Sequence, residues 1–95
     1  MKLLSVAVPC YNSEEYMEIC IKSLLTGGDD IEIIIVDDGS KDGTGAIADR
    51  YQEKYPDTIK VIHQENKGHG GAINTALCAA TGKYFKVVDS DDTLN

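Results

Sequence analysis

The chain has 95 residues, of which 42% are apolar and 26% charged, so it makes at most one small domain and is not a disordered segment. Its net charge of −7 argues against nucleic acid as a partner, because backbone binding needs a basic surface. The cysteines, Cys10, Cys20 and Cys78, are odd in number and show no CxxC spacing, which favours thiols in a reducing cytoplasm over disulfides or zinc.

Leu3 to Val8 reads as a first strand, stopped by Pro9, which cannot donate to a sheet ladder. The same run is too short for the apolar region of a secretory signal, and Pro9 stands where a small residue should precede a cleavage site. Ser13 is placed to cap a helix whose first turn carries Glu14 and Glu15, favourable beside the positive end of its dipole. Met17, Cys20, Ile21, Leu24 and Leu25 repeat at helical spacing up to Gly27-Gly28. Ile31 to Val36 is a second strand. A second helix runs from about Thr44 to Tyr55, with Ile47, Tyr51 and Tyr55 on one face and Pro56 behind it. Ile59 to Ile62 gives a third strand, with His63 along it, and His69 reads as an exposed loop residue. Ala72, Ile73, Ala76, Leu77 and Ala80 mark a third helix closed by Gly82, and Tyr84 to Val88 is the fourth strand.

The order βαβαβαβ is that of a parallel sheet with helices on both faces. Ile33-Ile34-Ile35-Val36 is apolar and β-branched without alternation, as a strand buried on both sides should be. No repeat interrupts the order, and no run approaches the about 18 apolar residues of a membrane span.

Chemistry-bearing residues gather where strands end, and ligands of open parallel sheets bind beyond the carboxyl ends of the strands. Asp37-Asp38-Gly39-Ser40 follows the second strand. It reads either as a turn, with Ser40 or Asp42 capping the next helix, or as carboxylates that accept hydrogen bonds from a base or from ribose. Asp89-Ser90-Asp91-Asp92 follows the fourth strand. Carboxylates two apart in a loop suit a hard divalent cation, and magnesium leaves coordination positions open to phosphate oxygens. Gly68-His69-Gly70-Gly71 opens the third helix but matches neither GxGxxG nor GxxxxGK[ST]; it reads as a weak anion site or as a tight strand-to-helix turn.

Val6-Ala7-Val8-Pro9-Cys10-Tyr11-Asn12, then Ile35-Val36-Asp37-Asp38-Gly39-Ser40-Lys41-Asp42-Gly43-Thr44, then Glu65-Asn66-Lys67-Gly68 and Asp89-Ser90-Asp91 together resemble the family-2 inverting glycosyltransferases. The resemblance runs from Leu3 to Asp92. It implies the GT-A fold, an α/β, Rossmann-like parallel sheet with strand order 3-2-1-4. Residues 1–95 would be a single domain, the N-terminal donor-binding portion of a larger glycosyltransferase domain. It also implies a nucleoside diphosphate sugar as ligand, most often of uridine, a magnesium or manganese ion, and polysaccharide biosynthesis as the setting. Pro9 and Tyr11 would lie beside the nucleotide, Asp38 together with Asp37 would accept from the base, and Lys67 would approach base or phosphate. Asp89 and Asp91 would divide ribose and metal between them, with Asp92 as a substitute ligand. The catalytic base is expected beyond Asn95, so the segment would bind donor without turnover. It would lie in the cytoplasm, or at the cytoplasmic face of a membrane.

Other readings compete. A nucleotidylyltransferase would need a basic, glycine-rich loop after the first strand, where this chain carries Glu14 and Glu15. A phosphoacceptor signalling domain would want its acidic pair after the first strand. A non-catalytic sugar-nucleotide binder shares every motif. Finally, Tyr84-Phe85-Lys86-Val87-Val88 would form an open edge, giving a homodimer through the fourth strand.

Overall fold

The structure is a computed structural model that describes residues 3–26 and 30–88. Among these residues the order is β1 (Leu4–Cys10), α1 (Met17–Leu25), β2 (Ile31–Asp38), α2 (Thr44–Lys54), β3 (Ile59–Gln64), α3 (Gly68–Ala79) and β4 (Tyr84–Val87). The strands form one parallel sheet in the order β3-β2-β1-β4. Gly27 and Gly28, expected to end α1, lie outside the described residues, as do Asp89, Asp91 and Asp92.

Every residue of β2 is buried, as its unbroken β-branched run requires. Side chains alternate between the two faces. Ile33 and Ile35 join Val6, Val8 and Cys10 of β1 under α1 and α2, against Met17, Cys20, Ile21, Ala48 and Tyr51. Ile34 and Val36 join Ala7 on the other face, under Ala72 and Ala76 of α3. The Tyr51 hydroxyl donates to Glu18 Oε1 (3.1 Å), tying α2 to α1. On α3 small alanines make the closest approach, so the expected apolar face is only half used: Leu77 stays 53% exposed. His69 falls inside α3, since the helix begins at Gly68 rather than after a longer loop.

Several boundaries move from where the sequence puts them: β2 and β3 each run two residues further, to Asp38 and Gln64, and Pro9 and the start of α1 also differ. Pro9 lies inside β1, opposite Val36, instead of ending the strand. The Val88 N–H donates to the Ala7 carbonyl, so the backbone groups of Ala7, and by alternation those of Pro9, turn toward β4. Pro9 sits beyond the last β4 pair, Ala7 with Val87, so its missing donor costs no bond of that ladder. The first helix starts at Met17, not after Ser13. The Ser13 carbonyl accepts from Tyr16 and Met17 in a preceding turn, while its hydroxyl bonds within the β1 loop to Tyr11.

The amino-terminal edge of the sheet is fastened by one buried carboxylate. Glu32 of β2 is 3% exposed. Its Oε1 accepts from the Ser5 hydroxyl (2.8 Å) and the Thr81 N–H (3.0 Å). Its Oε2 accepts from the Thr81 hydroxyl (2.8 Å) and pairs with Lys60 Nζ (2.8 Å). The Gly82 N–H closes the cluster by donating to Ser5 Oγ (2.8 Å). All four strands are thereby linked, since Thr81 and Gly82 lead directly into β4. Burial works against the charge on Glu32, but Lys60, the Thr81 N–H and the two hydroxyls outweigh it and bring its pKa from 4.5 to about 2.

A carboxyl whose folded pKa is depressed stabilises fully above its unfolded value and loses that stabilisation as the pH falls through the folded one. Glu32 therefore contributes above pH 4.5, and its contribution disappears on acidification toward about pH 2. Glu32→Ala, which strands the Ser5 and Thr81 donors, is expected to cost roughly 2–3 kcal/mol at neutral pH. Glu32→Gln should cost less and flatten the acid limb of the stability profile. Urea unfolding at a series of pH values measures both effects.

Candidate functional site at the carboxyl edge of the sheet

The loops after β1, β2 and β3 converge at one end of the sheet. In the parallel ladder Cys10 stands beside Asp37 and Pro9 beside Val36, while Asp37 and Asp38 stand beside His63 and Gln64. Pro9, Tyr11, Asp37, Asp38 and Lys67 thus belong to one edge, as their positions after strands require. Pro9 is buried in β1 and Tyr11 is 51% exposed in the loop that follows it.

The two aspartates do not act as a pair. Strand alternation sends Asp37 to the α2 face and Asp38 to the α3 face. Asp38 is 4% exposed, and its Oδ1 accepts from Gln64 Nε2 (2.9 Å) and from the Lys67 N–H (2.8 Å). Burial opposes its charge, but Gln64, the N–H groups of Lys67 and Gly68, and the Lys67 ammonium overcome that and hold its pKa below the ordinary carboxylate range. Asp38 is therefore an ionised acceptor set at the N-terminal end of α3, where the helix dipole favours negative charge. Gly68, at φ +81°, serves the tight turn into α3, and the anion at this helix start is the protein's own carboxylate.

Asp37 has both oxygens engaged on the opposite face. Oδ1 accepts from the Ser40 N–H (3.0 Å) and Oδ2 meets His63 Nδ1 (2.9 Å). The ring's other nitrogen, Nε2, lies 2.8 Å from Asp49 Oδ1 on α2. The bond to Asp37, then that to Asp49, raises the His63 pKa above the ordinary imidazole value despite partial burial.

A second set of bonds joins the β1 loop to the β2 loop. Asn12 adopts the left-handed conformation (φ +49°), which asparagine tolerates better than most residues. Its N–H donates to Ser40 Oγ (2.9 Å), and its Oδ1 accepts from the Lys41 N–H (2.8 Å). The Ser13 N–H donates to Thr44 Oγ1 (2.7 Å), and the Thr44 N–H donates to Asp42 Oδ1 (2.9 Å). Asp42 thus receives an amide just ahead of α2, but the N-cap position is Gly43 and carries no side-chain cap, so neither Ser40 nor Asp42 caps the helix as the sequence offered. Glu14, expected in the first turn of α1, instead accepts from the Gly43 N–H (3.1 Å).

Asn12, Ser40, Gln64 and His63 were not separable from ordinary loop and strand residues in the sequence. Only Ser40 carried a signal of its own, as a turn-forming type beside the acidic motif, and Asn12 entered only as the last residue of the first motif of the family resemblance. Lys67 reaches Asp38 through its backbone N–H, a contact that its side chain did not foretell. Among the described residues no group of three or more His, Cys, Asp or Glu side chains is arranged to hold a metal ion. The carboxylates at positions 89, 91 and 92 follow β4 in the sequence, and hard oxygen donors of that kind suit magnesium or manganese.

Comparison with known proteins bears on this edge. Residues 5–95 match the family model of glycosyl transferase family 2. The glycosyltransferase EpsJ of Bacillus subtilis is 48% identical over 91 residues, which are 95% of this chain and 26% of EpsJ. The mannosyltransferase PcManGT of Pyrobaculum calidifontis, solved with GDP-Man and Mn2+, superposes with a TM-score of 0.84 at 32% identity, covering 93% of this chain and 27% of its own. S. aureus TarS 1-349 in complex with UDP-GlcNAc gives a TM-score of 0.82 at 39% identity, covering 96% and 27%. The strand order and the likeness to these structures establish a GT-A, Rossmann-like sheet. The chain spans about a quarter of the length of each of these proteins.

Gly39 couples the two halves of the edge, with φ at +76° and the position of a Cβ only 2.8 Å from the Asn66 backbone nitrogen. Gly39→Ala is expected to destabilise the fold by about 1–3 kcal/mol and to push the 66–67 segment away from Asp38. Denaturant unfolding gives the first effect. A changed amide shift at Lys67 reports the second.

Proposed function

The chain belongs to glycosyl transferase family 2, and from that premise we propose that its carboxyl edge is the donor-binding portion of a transferase that uses a nucleoside diphosphate sugar, with uridine as the base. One observation carries the reading above others: Asp38 is buried, ionised and held by Gln64 and the Lys67 amide at the end of β2. An ionised acceptor in that position matches the imide N–H of a uracil ring. Asp37, with both oxygens engaged by Ser40 and His63, backs Asp38 from the other face and shapes the turn beside it. Pro9 and the exposed Tyr11 line the base and ribose, and the Lys67 side chain approaches base or phosphate. The complexes of TarS with UDP-GlcNAc and of PcManGT with GDP-Man and Mn2+ support a nucleotide sugar and a divalent metal for this chain.

In this reading Asp89 meets the ribose and Asp91 holds magnesium or manganese, with Asp92 as a substitute ligand. When bound, the cation offsets the negative charge that grows on the departing diphosphate. The transfer inverts the anomeric centre, and the base that activates the acceptor hydroxyl belongs to residues outside 1–95. This segment alone would then bind donor without turning it over. No helix among the described residues is long and apolar enough to cross a membrane; we place the domain in the cytoplasm, at or away from a membrane face.

The division of labour is testable in the full-length protein. Asp38→Ala should weaken UDP binding by about 10- to 100-fold with or without metal, the range of a hydrogen bond to a charged group. Asp38→Asn, which keeps the shape, should fall between. Asp91→Ala should remove the metal-dependent part of binding and lower turnover by about 100-fold. Calorimetry with UDP, with and without MnCl2, together with donor turnover, separates the two. Equal and mild effects from Asp38→Ala and Asp91→Ala would contradict the assignment.

The outer side of β4 is unpaired among the described residues, and Tyr84 there is 57% exposed. We propose that residues 1–95, expressed alone, associate through this strand. Sedimentation across a wide concentration range should show a growing dimer, and a strict monomer would refute the association.

A further inference from the structure

Away from the residues that face the nucleotide, Asp37, His63 and Asp49 form a chain of titratable groups from three different elements. His63 Nδ1 lies 2.9 Å from Asp37 Oδ2, and Nε2 lies 2.8 Å from Asp49 Oδ1. Ionised carboxylates only accept, so both ring nitrogens donate and the ring is an imidazolium. The ring is 47% exposed, whereas the Asp37 side chain is 10% exposed, so a solvent-facing cation meets a buried anion. The α2 backbone closes over the contact at Gly45, where a Cβ would stand 2.7 Å from Asp37 Oδ2 and 3.3 Å from His63 Cε1. A side chain at Gly45 would drive the two apart.

The contact leads directly to the edge. The other oxygen of Asp37 holds the Ser40 N–H, and Ser40 Oγ accepts from Asn12 in the loop that carries Tyr11. The charged groups that face His63 are Asp37 from β2 and Asp49 from α2. On its own strand's continuation Glu65 is exposed, and Asp38 turns to the far face. Among the described residues His63 is the cation that pairs with Asp37.

We propose that His63 is a positioning residue of the nucleotide site: as a cation between Asp37 and Asp49 it holds the Asp37–Ser40 turn in place and offsets the charge of Asp37 where an anionic nucleotide must bind. This rests on the nucleotide reading of the edge given above. Loss of the proton would leave a ring nitrogen lone pair facing a carboxylate. The turn would loosen, and the diphosphate would meet an edge more negative by one charge. Proton binding at His63 and nucleotide binding are then linked, each strengthening the other by the same factor. The bonds to Asp37 and Asp49 keep the ring protonated to higher pH than an ordinary imidazole.

UDP affinity, measured by calorimetry from about pH 5.5 to about pH 9 in the full-length protein, tests the proposal. The wild type should lose about fivefold in affinity as His63 gives up its proton. Asp49→Asn removes an exposed carboxylate on α2 that holds no other part of the edge. It should move the midpoint of that loss to lower pH while leaving acid-side affinity unchanged. His63→Gln keeps a donor for Asp37 without charge, and should bind weakly with no such step. The phosphate of UDP titrates alike in all three and cancels in the comparison. In NMR spectra the His63 ring should titrate at higher pH with UDP bound than without. Coincident profiles for the three proteins, or a His63 titration indifferent to UDP, would overturn the proposal and leave the nucleotide reading standing. A wild type that binds UDP at no pH would bring down both.

Discussion

The register between β2 and β3 is the constraint on which the carboxyl edge depends. It sets Asp37 against His63 and Asp38 against Gln64. A slip of one residue would exchange the faces of the two aspartates, because side chains alternate with a period of two. Asp38 would lose Gln64 and the amide at the start of α3, and Asp37 would lose its imidazolium. Both faces of β2 are buried, so such a slip would also drive Ile33, Ile34, Ile35 and Val36 into the wrong layers. The same apolar run that stabilises the sheet therefore fixes which face each carboxylate takes.

The sheet manages its buried charge differently at its two ends. At the amino edge Glu32 is saturated by Ser5, Thr81 and Lys60, and the result is a clamp between strands and the approach to β4. At the carboxyl edge Asp37 is held by His63 and the Ser40 amide, and Asp38 by the Gln64 side chain, the Lys67 amide and the Lys67 ammonium, and they shape loops rather than seal them. A closed cluster suits stability, because every buried polar group is satisfied internally. An edge organised by loop contacts can still present an ionised acceptor and an exposed ring such as Tyr11 to a ligand. The division follows the general placement of binding sites beyond the carboxyl ends of parallel strands.

Much of this was legible in the sequence, for physical reasons that differ from element to element. Ile33 to Val36 announces a doubly buried strand, and the spacing of Met17, Cys20 and Ile21 announces the buried face of α1. The strand order came with the family resemblance, because periodicity alone does not say which strands are neighbours. Pro9 extends β1 rather than ending it, since the cost of a missing donor depends on whether a partner strand is there to accept. The start of α1 was misplaced because the groups of Ser13 are committed to Tyr11 and Thr44, contacts made by tertiary structure. From the sequence His63 reads only as a strand residue. Its role depends on two carboxylates distant in the chain, Asp37 and Asp49, and no local pattern reveals that meeting. The acidic residues after β4 stood out in the sequence and lie outside the described residues.

The central claim is that this edge, organised by the β2–β3 register, is where a nucleotide binds. Mapping backbone amide shifts during titration with UDP and MnCl2 tests it most directly. The account predicts the largest changes at residues 9–12, 37–40 and 64–68, with Glu32, Thr81 and Gly82 at the opposite edge left undisturbed. Shifts concentrated around Glu32 and Thr81, or on the outer faces of the helices while Asp38 and Lys67 stay still, would contradict it.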